Sequence, residues 1–156
     1  MPVFMFALSQ CTQINIEATL LCFLVLHLFI YPASNGYNSY MDQDEGSIGG
    51  LEKPPKPTKA LFYAAALFDF IGLLIALFVS TNFFIAVLIY MLASRAYSFK
   101  GIRLKKYPLI GFITVIFFQG AFTFWMVQTG ISAIPFHFNH INILALAGSS
   151  FLIAGV

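Results

Sequence analysis

Apolar runs long enough to cross a bilayer alternate with short polar joints along most of the chain. Residues 60–79 are apolar except for Asp69 and would be about 30 Å long as a helix, one hydrocarbon thickness. Residues 14–31 are apolar apart from Asn15, Glu17, Thr19 and His27. The pattern predicts spans at about 14–37, 60–79, 83–99, 108–127 and 141–156, with a stub at 3–8 that is too short to cross. Ser80, Thr81 and Asn82 form a tight uncharged turn between two spans. The polar stretch 35–57 has to lie outside the hydrocarbon or line a polar cavity, because unpaired backbone groups are not tolerated in lipid. The expected fold is all-α: a multi-pass transmembrane helix bundle forming a single region over 1–156.

Composition strengthens that reading. Of the 156 residues 60% are hydrophobic and 9% charged, against roughly a quarter charged in an ordinary soluble domain. Aromatic residues make up 17%, and the mean hydropathy of +0.86 leaves too few polar side chains to cover a water-facing surface. A soluble fold is excluded. Cys11 and Cys22 form neither a disulfide framework nor a metal pattern. No basic segment precedes the first apolar residues, so no cleavable signal peptide is expected.

The net charge of +2 matters less than where the charges sit. All eight Lys and Arg fall between Lys53 and Lys106, in or beside two connections that the helix count places on one face, while 80–82 and 128–139 carry none. The positive-inside rule puts the charged face in the cytoplasm. Asp42, Asp44 and Glu45 crowd three carboxylates together one helical turn after Asn38, and such a cluster calls for a cation. Oxygen ligands without His or Cys suit Mg²⁺, which binds through one or two carboxylates and bridges to phosphates. Arg103, Lys105 and Lys106 on the second connection are suited to phosphate oxygens. Together the two loops describe a diphosphate site at a membrane surface. The plain alternative is that both signs merely solvate loops.

These residues also carry a resemblance. Asn38-Ser39-Tyr40-Met41-Asp42, followed by acids and then Lys53-Pro54, resembles the first aspartate-rich motif of the UbiA family of intramembrane aromatic prenyltransferases. Tyr97-Ser98, the run from Ile102 to Pro108, and Gly111 resemble that family's basic loop between its fourth and fifth helices. The resemblance implies a nine-helix bundle around a cavity open to lipid, of which this chain would form the N-terminal half. It implies transfer of an isoprenoid chain from a prenyl diphosphate to a ring acceptor with Mg²⁺, as in quinone-type lipid biosynthesis, and it gives no role to nucleic acid. On it, Asn38 and Asp42 are catalytic; Asp42, Asp44 and Glu45 hold metal; and Tyr97, Arg103, Lys105 and Lys106 bind diphosphate. The family's second Asp would fall on Gly46, which leaves Asp44 and Glu45 as substitutes. The family's second aspartate-rich motif has no counterpart before Val156. The chain therefore reads as an internal piece of a longer enzyme, inactive alone.

Other residues invite weaker readings. Phe117, Phe118, Phe122, Phe124 and Trp125 are candidates to stabilise an allylic cation, with packing or interface anchoring as the stronger alternative. Asp69, near mid-membrane, is expected either to face the cavity or to bond a neighbouring helix while protonated. Arg95 is expected to snorkel to the surface or to enter the diphosphate site. His137 and His140 read as interface residues, and Gln119 and Gly120 as sites of close packing or substrate contact. A piece of a small-molecule transporter and a non-catalytic membrane assembly protein are the rival functions.

Overall fold

The structure, a computed structural model, describes residues 2–43, 56–133 and 142–155. It contains α1 (Pro2–Ser9), α2 (Ile16–Asp42), α3 (Lys59–Val79), α4 (Thr81–Ser98), α5 (Pro108–Ile131) and α6 (Ile143–Ala154). Among the described residues the only β contact is an isolated bridge between Ile14 and Ser132. Three of the helices, α2, α3 and α5, are long and apolar enough to cross a membrane. The expected all-helical architecture is present at that level.

Several boundaries differ from the sequence pattern, each for a local reason. α2 runs past residue 37 to Asp42, although Pro32 lies inside it. A proline ring in a regular α-helix collides with the carbonyl four residues back, and here the π-helical turn Val25–Ile30 ends two residues before it and widens the backbone. α2 stops where Gln43 adopts a left-handed conformation (φ 50°) and donates its N–H to the Ser39 carbonyl at 3.0 Å. Ser80 is the single residue between α3 and α4. Its hydroxyl accepts from the Phe83 N–H at 3.1 Å and so caps α4. The short apolar stub is helix α1, which buries Val3, Phe4 and Ala7 within the bundle. α6, at 12 residues, is about 18 Å long, short of a hydrocarbon thickness.

The core lies among α1, α2, α4 and α5, where Phe4, Leu26, Val25, Phe83, Val87, Phe124 and Met126 are buried. Large apolar side chains also point outward, among them Leu67, Phe70 and Phe78 on α3 and Leu144 and Phe151 on α6. Outward faces of this kind suit lipid. α5 contains a second π-helical turn, Ile116–Phe122, and the Thr123 hydroxyl donates to the Phe118 carbonyl at 2.7 Å within it. A Cβ on Gly120 would stand 2.6 Å from the Ser150 Cα, so α5 and α6 meet backbone to backbone there.

Candidate functional site

The site begins at the end of α2. Asn38 and Asp42 are one turn apart and project on one side, as the spacing predicts. Asp42 places a carboxylate at the negative end of the helix dipole, an unfavourable position unless a cation stands beside it. The connection between α4 and α5 supplies that cation. After Ser98 the chain turns through Arg103, whose N–H donates to the Phe99 carbonyl at 2.7 Å, and Arg103 itself is left-handed (φ 46°). Such a conformation is disfavoured for a side chain with a Cβ, and it reverses the chain into the 3₁₀ turn Leu104–Lys106. Gly111 then lets this turn fold back on α5, for a Cβ at Gly111 would lie 3.1 Å from the Lys105 Cα.

The result is a compact polar cluster. The Lys105 ammonium donates to both carboxylate oxygens of Asp42 and, at 2.9 Å, to Asn38 Oδ1. The same Asn38 oxygen accepts from the Ser98 hydroxyl. Arg103 Nη2 lies 3.5 Å from Asp42 Oδ1, and the Lys105 ammonium lies 5.9 Å from the Tyr97 ring centre. Thus Asn38, Asp42, Tyr97, Arg103 and Lys105 come together at one end of the bundle. Lys106 is exposed and, among the described residues, takes no part in the cluster. Asp44 and Glu45 lie outside the described residues, as do Lys53, Pro54, His137 and His140.

Below the cluster is a cavity of about 150 Å³. α2 contributes Ser34, Asn35 and Asn38 to it, α4 contributes Tyr90, Ser94, Tyr97 and Ser98, and α5 contributes Thr114, Phe118 and Gln119. A second cavity of about 290 Å³ shares Ser34, Asn35, Tyr90 and Gln119 with the first and reaches Tyr31, Thr123 and α1. No known protein family, curated protein or solved structure matches the chain. The reading of the site therefore rests on its own chemistry. Its lining is neutral, with hydroxyl and amide groups among aromatic and aliphatic side chains, and the charged cluster adjoins it through Asn38, Tyr97 and Ser98.

Whether a divalent cation fits is tested by what already occupies those oxygens. Asp42 and Asn38 converge on one ammonium group, so their geometry holds a cation. Mg²⁺ that retains waters binds through one or two carboxylates together with substrate phosphates, and Asp42 is the one carboxylate the described residues place here. Among the described residues no three His, Cys, Asp or Glu side chains gather.

The remaining candidates fall elsewhere. Asp69 does bond a neighbouring helix, but its donor is Arg95 of α4, and the two form an ion pair. Arg95 also lies 3.9 Å over the Tyr37 ring, so it neither snorkels to the surface nor enters the Asp42 cluster. The apolar pattern of either helix alone does not pair these two residues. They stand 11 residues before and 15 residues after the turn at Ser80, and the long Arg95 side chain reaches back across the hairpin to Asp69. Of the five aromatic candidates, Phe118 lines the cavity and Phe124 is fully buried in the core. Phe117, Phe118, Phe122 and Trp125 pack in succession, with neighbouring ring centres 5.1 to 5.3 Å apart. Tyr90 and Tyr97 are cavity aromatics that the sequence did not single out as cation stabilisers. Gln119 lines both cavities, whereas Gly120 serves helix packing.

Proposed function

We propose that the chain acts in a UbiA-type membrane prenyltransferase, moving an isoprenoid chain from its diphosphate to a ring acceptor with Mg²⁺. The observation that carries this is the meeting of Asn38 and Asp42 with Lys105 and Arg103 beside a polar and aromatic cavity that Asn38 itself lines. A neutral-walled cavity with a charged cluster beside it suits a ligand with a polyanionic head and an apolar tail. On this reading the charged end faces the cytoplasm.

Arg103 and Lys105 hold the diphosphate oxygens, the guanidinium as a fork and the ammonium as a point charge. Asn38, oriented by Ser98, and Asp42 hold the cation. When bound, the metal supplies neutralisation of charge developing on the leaving diphosphate. Tyr90, Tyr97 and Phe118 present rings to the carbon that becomes positive, each worth about 0.5–2 kcal/mol. Ser34, Asn35, Ser94 and Gln119 offer hydrogen bonds to the hydroxyl or carbonyl groups of a ring acceptor.

The reading is tested in native membranes that carry the protein. Mg²⁺-dependent turnover of a prenyl diphosphate falls to background in Asp42→Asn. Turnover unchanged by that substitution removes Asp42 from the site and favours a transporter or assembly role.

A further inference from the structure

The cation that holds Asn38 and Asp42 together is a side chain of the protein itself, and it takes the oxygens a metal would need. We propose that Lys105 is a specificity-determining residue that makes this site reject a free divalent cation and accept one delivered together with a diphosphate. The inference rests on the function proposed above and adds a selection rule to it.

The argument is one of occupancy and charge. Both oxygens of Asp42 and the oxygen of Asn38 already accept from the Lys105 ammonium, so an arriving metal ion has to displace it. Lys105 has little room to retreat. Its side chain is 17% exposed, and its backbone is packed against Gly111. Arg103 stays beside the same carboxylate at 3.5 Å. Among the described residues Asp42 is thus bonded by the Lys105 ammonium and flanked by the more exposed Arg103 guanidinium. A bare dication would add two further positive charges to that group and leave the ammonium without its acceptors. A diphosphate arriving with the metal changes both terms. It brings negative charge that offsets the cations, and its oxygens give Lys105 new acceptors as Asp42 passes to the metal. Lys105 therefore hands over rather than being expelled.

The test uses the intact chain in neutral detergent, with Mn²⁺ as the metal and inorganic pyrophosphate as the anion. Free Mn²⁺ binding is followed by electron paramagnetic resonance, and pyrophosphate retention by equilibrium dialysis with and without Mn²⁺. Wild type is expected to bind free Mn²⁺ at least tenfold more weakly than Lys105→Gln, and to retain pyrophosphate only when Mn²⁺ is present. Lys105→Arg, which keeps the charge, is expected to exclude free Mn²⁺ as wild type does, and this guards against a misfolded Gln variant. The gain in Lys105→Gln is expected to vanish when Asp42→Asn is added. Equal free-Mn²⁺ affinity in wild type and Lys105→Gln, with Mn²⁺-dependent pyrophosphate retention intact, overturns the selection role and leaves the proposed function standing. Absence of pyrophosphate retention in wild type overturns both.

Discussion

Asp42 and Asp69 each pair with a basic residue distant in sequence, and their burial hardly separates them: the Asp42 side chain is 12% exposed and that of Asp69 10%. What differs is how the partners are held. Asp69 projects from the middle of α3 and Arg95 from the last helical turn of α4, and the guanidinium is covered by Tyr37 of a third helix, so the pair ties α2, α3 and α4 together. Asp42 stands at a helix end, and its partners Lys105 and Arg103 come from an irregular loop above a polar cavity. Equal burial thus supports two roles. A pair braced by helices from both sides is a fixture. A pair with one loop-borne member beside a cavity is suited to exchanging its partner for a ligand.

The largest expected effect breaks the fixture. Arg95→Met leaves the Asp69 carboxylate buried without its cation and costs about 3–5 kcal/mol of stability, whereas Asp69→Leu with Arg95→Met recovers most of that loss. Unfolding in detergent micelles measures both. Lys105→Met costs less in the same assay, because Arg103 remains beside Asp42. A loss as large as that of Arg95→Met erases the distinction between the two pairs. Gly111→Ala sharpens it from another side. The added methyl pushes on the Lys105 backbone, so Mn²⁺-dependent pyrophosphate retention drops several-fold in dialysis while the unfolding midpoint hardly moves. The smallest effect concerns Arg103, whose side chain is 42% exposed. Arg103→Gln shifts stability by no more than about 0.5 kcal/mol, a shift that raised salt screens out in the same unfolding assay.

Much of this was legible in the chain. The apolar runs located the long helices because lipid forces polar groups into the joints. The one-turn spacing of Asn38 and Asp42 foretold their common side, whereas the direct pairing of Lys105 with Asp42 was not legible, since the basic residues were expected to face phosphate. Less legible was the length of α2, since Pro32 and the polar residues after it look like an exit from the membrane. They remain helical because the π-helical turn before Pro32 absorbs the clash and the polar side chains face a cavity. The Asp69–Arg95 pairing was equally hidden. It depends on the register of a hairpin across one residue, which no single-helix pattern reveals. Nor does residue type say that Lys106 is exposed while Lys105 turns inward, a choice made by the left-handed backbone at Arg103 and the close approach at Gly111.

The central claim, one joint binding site formed by the α2 end and the basic loop, is tested most directly by equilibrium binding of a non-hydrolysable prenyl thiodiphosphate to the chain in detergent. The account predicts saturable binding that requires Mg²⁺ and weakens at least tenfold in Asp42→Asn. Binding that is indifferent to Mg²⁺ and to that substitution would contradict it.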